Sequence, residues 1–170
     1  MKITLDHNCL VHLEQKTPEA QLIDSIIANP SHECFVVNIG ASEQLKGGGF
    51  SNDYNLFESQ LTAIGLARLP RLEPMLVWDV TFSDRCVWGD DVGVQLTNNI
   101  EAILFPQLGD VELESERKKR NRLCDIHSLW CHIRNGNDVF LTTDKNFTKA
   151  SKLPRLIALG AKRICCPEDL

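Results

Sequence analysis

Four short runs of β-branched and other apolar residues, separated by segments with helical spacing, restrict the fold of this chain most strongly. The runs lie at Lys2–Leu5 and at residues 34–39, 138–143 and 162–166. Their continuous apolar character is typical of strands that are covered on both faces of a parallel sheet. The sequence therefore predicts an α/β fold of three layers, α/β/α, around a central and mainly parallel sheet.

Three segments between these runs have the periodicity of amphipathic helices. Apolar residues at one-turn spacing predict helices over residues 18–28, 56–69 and 115–135, the last of which stops at Asn135 and Gly136. Residues 76–82 read as a further strand and residues 83–93 as a polar loop. Gly47, Gly48 and Gly49 indicate a flexible turn.

Length and composition indicate one domain in a reducing compartment. The 170 residues suit a single domain, and the net charge of -5 disfavours generic coating of DNA or of an anionic membrane. Seven cysteines without paired spacing indicate reduced thiols and a cytoplasmic protein. Because no apolar stretch approaches the roughly 18 residues of a membrane span, we expect no membrane association.

Four carboxylates follow predicted strands or begin predicted helices. Asp6 ends the first strand and Asp144 a later one, Glu43 follows the second strand, and Asp125 begins the apolar stripe of a helix. Because the carboxyl edge of an open parallel sheet is its usual ligand site, we expect these acids to meet there. Oxygen ligands of this kind favour Mg²⁺ or Mn²⁺, ions that activate water for attack on a phosphodiester.

The same stretches of sequence resemble the PIN-domain ribonucleases, which include the toxins of many toxin–antitoxin pairs. The resemblance covers residues 1–46 and 115–170, and it is carried by residues 3–8 (ITLDHN), 124–129 (CDIHSL) and 139–147 (VFLTTDKNF). The stretch ASEQL at residues 41–45 and the closing strand before a Pro-Glu pair also match. The whole chain of 1–170 is thus interpreted as one PIN-like domain with an atypical insertion at 47–114.

The resemblance implies a role for each matching residue. Asp6, Glu43, Asp125 and Asp144 would be the catalytic acids that bind Mg²⁺ or Mn²⁺ for RNA hydrolysis. Asn8 would orient the first acid, and the hydroxyl of Thr143 would hold a metal-bound water or an acid. The implied partners are RNA, a cognate antitoxin or inhibitor protein, and a second copy of the chain in a homodimer.

Asn146 stands where many members of that family carry a further acid. Its oxygen remains a possible supporting ligand, but the missing charge weakens a second metal position. This departure and the long middle region favour an alternative, a PIN-like binding module with weak or no activity.

Five cations precede Asp125 in the predicted helix, namely Arg117, Lys118, Lys119, Arg120 and Arg122. One interpretation is contact with RNA phosphates, and the other is an ordinary solvated helix face. Glu112, Glu114 and Glu116 are placed to pair with some of them at helical spacing.

Other residue patterns fit structural roles better than chemical ones. Cys124, His127, Cys131 and His132 lie on one helix, which cannot wrap four ligands around zinc, so core cysteines and a surface histidine are expected. An aspartyl-phosphate phosphatase using Asp6 would need an acid at the position of Asn8. Trp88 is the candidate exposed aromatic residue, whereas Trp78 and Trp130 are expected in the core.

Overall fold

A five-stranded, entirely parallel sheet forms the centre of the molecule. The computed structural model describes residues 1–43, 53–106 and 115–170. The strands are β1 (Lys2–Leu5), β2 (Glu33–Val37), β3 (Arg71–Leu72), β4 (Val139–Leu141) and β5 (Arg163–Cys165), in the order β3-β2-β1-β4-β5. The predicted three-layer α/β/α architecture is confirmed, and the four predicted strands all form, each within two residues of its expected ends.

Seven helices connect and cover these strands within the described residues. They are α1 (His7–Gln15), α2 (Pro18–Ala28), α3 (Tyr54–Ala63), α4 (Asp91–Leu104), α5 (Glu116–Arg134), α6 (Lys145–Thr148) and α7 (Leu153–Leu156). Short 3₁₀ turns at Asn38–Ser42 and Pro167–Asp169 and a π turn at Ile157–Ala161 complete the description. Five helices have an aspartate or serine N-cap, the residue just before the helix, whose side chain accepts a backbone N–H of the first turn.

The two faces of the sheet pack against different helices because side chains alternate along a strand. Ile3 and Leu5 point into the layer of α1, α2 and α3, whereas Phe140 points into the layer of α4, α5 and α7. Thr4 lies on the α5 side, where its hydroxyl is 3.0 Å from Nδ1 of the buried His132. The residues just after β1 and β4 continue this alternation, so successive side chains there also lie on opposite sides of the sheet.

The region between the second and third predicted strands differs most from expectation. Residues 76–82 form turns and no strand, because Val77 bonds with Val80 and with the hydroxyl of Thr81 instead of a neighbouring strand. The predicted helix over 56–69 ends at Ala63, just before Gly65 with its φ of +77°. Helices α1, α4, α6 and α7 and the short β3 lack a prediction, and α4 begins inside the expected loop at 83–93.

Several sequence predictions concern residues outside the described part of the chain. The turn at Gly47, Gly48 and Gly49 and the pairing of Glu112 and Glu114 lie there, as does part of the predicted insertion.

The cysteines and tryptophans also separate into buried and exposed sets. All seven cysteines are free, and both His127 and His132 are buried, so the expectation of a surface histidine is wrong. Trp130 is buried, as expected, and the candidate Trp88 is exposed, but the expectation of a core position for Trp78 is wrong. In the part of the chain that the structure describes, no helix has the length and apolarity to cross a membrane.

Candidate functional site

The crevice between the carboxyl ends of β1 and β4 is the candidate site. The chain leaves β1 toward β2 and β3 on one side, whereas β4 and β5 lie on the other, so the strand order reverses between β1 and β4. Such a reversal point opens a crevice that is the common ligand site of open α/β sheets. Asp6 follows β1 directly, and Asp144 follows β4 by three residues.

Asp6 is buried at this edge and is held by three hydrogen bonds. Only 4% of the Asp6 surface is exposed to solvent. The Thr142 hydroxyl donates to Oδ2 at 2.6 Å, the Asn8 amide donates to Oδ2 at 2.9 Å, and the His7 N–H donates to Oδ1 at 2.9 Å. Because β1 and β4 pair Leu5 with Leu141, the next residue of each chain, Asp6 and Thr142, lie side by side.

Asn8 ties the two strand ends together. Its Nδ2 also lies 3.1 Å from the Thr142 hydroxyl, and its Oδ1 accepts the Thr143 N–H at 3.1 Å. The Thr142 hydroxyl in turn accepts the Asp144 N–H at 3.0 Å. The Asp6 carboxylate, and with it the start of the Asp144 segment, is therefore fixed before any ligand binds.

Thr142 supplies the hydroxyl that contacts an acid, whereas the sequence predicts Thr143 for this role. The Thr143 side chain points to the opposite side of the sheet, where its hydroxyl lies 3.0 Å from Nε2 of His12 on α1. Alternation of side chains after β4 explains the difference, since only Thr142 shares the orientation of Asp6. The expected hydrogen bond between Thr143 and an acid is thus corrected to Thr142.

The four predicted acids share one electrostatic environment. Burial, together with the charges of Asp6, Glu43 and Asp144, raises the pKa of Asp125 to about 9. Burial and the Asp144 charge raise the pKa of Glu43 to about 7. Burial and the Glu43 charge raise the pKa of Asp6 to about 7 in spite of its hydrogen bonds. Four elements that are distant in sequence therefore bring mutually repelling carboxyl groups to one edge of the sheet.

These groups suit a hard divalent cation by their chemistry. They offer oxygen donors alone, and a cation would relieve the repulsion that, after burial, raises the pKa values of Asp6, Glu43 and Asp125. Across residues 1–43, 53–106 and 115–170, however, no three His, Cys, Asp or Glu side chains are arranged closely enough to hold a metal ion. The donor set fits Mg²⁺ or Mn²⁺, and binding would require these side chains to draw together.

Asn146 faces two lysines at the Asp144 side of the site. Its Oδ1 accepts from Lys152 Nζ at 2.5 Å and lies 3.4 Å from Lys149 Nζ. Lys152 also donates to the Leu104 carbonyl at 2.5 Å, and burial and the Lys149 charge lower its pKa despite the opposing Asp144 charge. An ammonium group thus lies beside Asn146, and nothing in the local sequence pattern around Lys152 predicts it.

His7 is a second site residue without an assigned role in the sequence interpretation. Its Nδ1 lies 4.0 Å from Glu43 Oε2 and has no hydrogen-bond partner among the described residues. Its ring stacks on Phe57, and a side chain at Gly40 would come within 2.7 Å of Nδ1. Burial lowers the pKa of His7, so a neutral imidazole lies beside Glu43. Its position directly after Asp6 is the sequence signal that identifies it.

The cations of α5 divide between two sides of that helix. A cavity of about 580 Å³, here called the Asp125 cavity, is lined by Asp125, Phe105, Ser115, Arg117, Lys118, Asn121 and Arg122. Arg122 is only 8% exposed and pairs with Glu101 of α4, which gives it a structural role as well. Lys119 and Arg120 face a different cavity on the other side of α5.

We expect Thr142→Val to cost more stability than Thr143→Val. The first change removes the donor to Asp6 and the acceptor of the Asp144 N–H, and a loss of about 1–3 kcal/mol is typical of buried polar groups left unpaired. The second removes one partly exposed bond, for which about 0.5–1.5 kcal/mol is typical. Urea unfolding followed by circular dichroism measures both, and equal losses would contradict the assignment of Thr142 to Asp6.

Asp125→Asn should stabilise the metal-free protein, and more so at high pH. The folded-state pKa of about 9 lies far above that of an unfolded aspartate, so the stability contributed by the protonated carboxyl is lost as pH rises toward about 9. An amide of the same shape avoids this loss. Melting in EDTA should show a larger gain at about pH 8 than at about pH 4.5, at about 2–4 °C per kcal/mol. Asp24→Asn, on the exposed side of α2, is the matched control, and a gain independent of pH would contradict the prediction.

Comparison with known proteins does not identify a family for this chain. The sequence matches no model of a protein family, and no curated protein matches it.

Proposed function

We propose that this protein is a metal-dependent ribonuclease of the PIN-domain kind that hydrolyses RNA phosphodiester bonds. The observation that carries the proposal is the gathering of Asp6, Glu43, Asp125 and Asp144 at the reversal point of the parallel sheet, where Asp125 is repelled by the other three. Buried carboxyl groups with strongly raised pKa values are uncommon outside functional sites, because they destabilise the fold. The resemblance of the surrounding sequence to PIN-domain ribonucleases supports the same conclusion.

In this proposal Asp6, Glu43, Asp125 and Asp144 hold Mg²⁺ or Mn²⁺. When bound, such an ion supplies an activated water and stabilises the negative charge that develops on the phosphate. The chain's own task is positioning: Thr142 and Asn8 hold the Asp6 carboxylate in one orientation through bonds of 2.6 and 2.9 Å. The carboxyl groups must release their protons for a cation to bind, so affinity for the ion rises with pH.

RNA would approach through the Asp125 cavity. Arg117 and Lys118 are exposed at its rim and supply attraction to phosphates that does not depend on base sequence. Arg122 is the weaker candidate for RNA contact, because its pairing with Glu101 ties it to α4. A cytoplasmic location belongs to the same proposal and is supported by seven free cysteines, five of them buried.

Replacing one of the acids should abolish most of the cleavage of single-stranded RNA. Asp6→Asn and Asp125→Asn each remove a charge that the ion needs, and we expect about a hundredfold or greater loss of rate, the size seen when one electrostatic group is removed from a transition state. Gel analysis of a labelled RNA with Mn²⁺ measures the rate. Asp24→Asn should cleave like the wild type, and full activity in both site variants would refute the proposal.

A second candidate function is a binding module of the same fold without catalysis. Two observations favour it: Asn146 faces Lys152 instead of supplying an acid, and the described residues hold no preformed set of three metal ligands. Its partner would be RNA, a cognate antitoxin or inhibitor protein, or a second copy of this chain. The two candidates differ in whether the acids bind a divalent ion.

Titration with Mn²⁺ should raise the melting temperature of the ribonuclease and leave a non-catalytic module unchanged. An ion that binds only the folded state adds about 2.7 kcal/mol at a hundredfold excess over its Kd. The rise should be larger at about pH 8 than at about pH 6, because the acids of the site bind protons below their raised pKa values. It should vanish in Asp125→Asn and persist in Asp24→Asn. No rise at either pH would favour the binding module.

A further inference from the structure

Trp78 presents an exposed indole on a firmly anchored loop. It lies in residues 73–90, between β3 and α4, and it is 82% exposed. The loop is fixed on both sides of it: the Leu76 N–H donates to the Val87 carbonyl at 2.8 Å, and Arg120 of α5 donates to the Asp79 carbonyl at 2.7 Å. Val80 is buried against the core. The exposure of Trp78 is therefore a property of the folded loop.

The indole borders a cavity of about 440 Å³, here called the Trp78 cavity. Trp78 and Val80 line it from the loop, and Glu116, Lys119, Arg120 and Leu123 line it from one face of α5. Proteins bind unpaired nucleotides with an aromatic surface next to cations, since the ring stacks on a base and the cations contact the phosphates.

The charge around this cavity is positive when the neighbouring face of α5 is included. Glu116 and Asp79 offset the two lining cations, so the excess comes from Arg117 and Lys118, which are exposed on the side of α5 that lines the Asp125 cavity. Residues 116–120 thus carry four cations against one acid. This excess complements a polyanion and opposes an apolar or basic protein partner.

The Trp78 cavity and the acids flank the same helix. The Val80 carbonyl accepts the hydroxyl of Ser42, the residue before Glu43. Leu123 lines the Trp78 cavity, and Asp125, two residues later on α5, lines the other one. An RNA strand that wraps around the N-terminal half of α5 would therefore pass the indole on one side of the helix and Asp125 on the other.

We propose that Trp78 stacks on a base of single-stranded RNA while Lys119 and Arg120 contact the adjacent phosphates, forming a substrate subsite next to the carboxylate site. The inference rests on the proposed function for RNA as the ligand. Stacking needs an unpaired base, because both faces of a base are covered inside a duplex. The subsite therefore selects single strands without reading their sequence.

The test is binding in EDTA, where no cleavage occurs. A fluorescein-labelled single-stranded RNA of ~12 nucleotides is titrated by anisotropy with the wild type, Trp78→Ala and Trp88→Ala. Trp88, also 82% exposed, is the matched control. We expect Trp78→Ala to weaken binding by about 5- to 150-fold, the range for loss of one stacked base, and Trp88→Ala to leave it unchanged. Lys119→Gln should reduce the salt dependence by about one phosphate contact. In a Trp88→Phe background, the RNA should also quench the fluorescence of Trp78.

Each remaining outcome separates this inference from the ribonuclease proposal. Equal affinity of Trp78→Ala and Trp88→Ala, or equal affinity for a duplex of the same length, overturns the subsite even if the wild type cleaves RNA with Mn²⁺. Binding that depends on Trp78, without any cleavage in Mn²⁺, supports the subsite and overturns the ribonuclease. Absence of binding to either RNA overturns the subsite.

Discussion

The parallel pairing of β1 with β4 is the constraint on which the site depends. Because Leu5 lies opposite Leu141, the chain emerges from both strands with Asp6 beside Thr142, and a hydroxyl donates to a buried carboxylate at 2.6 Å. The same hydroxyl accepts the Asp144 N–H, and Asn8 joins the two segments. A shift of one residue in this register would reverse the faces of these side chains and remove the site.

The site concentrates like charges that the fold by itself does not neutralise. Asp6, Glu43 and Asp125 have raised pKa values because they are buried and because they repel one another or Asp144. Lys152 interacts with the Asp144 charge but donates its hydrogen bonds to Asn146 and to a helix carbonyl and not to the acids. Destabilising arrangements of this kind persist where a ligand completes them, which is the physical basis of the proposed cation site.

Helix α5 carries several of the residues around the candidate site. It carries Asp125 on one face, cations on its first turns, and two cavities on its two sides. The loop that presents Trp78 is tied to this helix through Arg120 and to the Glu43 segment through Ser42. Asp125, the cations and the indole are therefore carried by α5 or by the loop bonded to it, an arrangement that suits an extended polyanion better than a small molecule.

The sequence by itself determined the layered α/β class, the four longer strands and the helix at Pro18–Ala28, because these depend on local apolar periodicity. It also indicated the four acids as candidate site residues, since the carboxyl ends of parallel strands lie at one edge of the sheet. Only the tertiary structure decided that Thr142 and not Thr143 contacts Asp6, that Arg122 pairs with Glu101, and that Trp78 is exposed. These features depend on which face a side chain takes and on which distant residue meets it, and local periodicity carries no information about either.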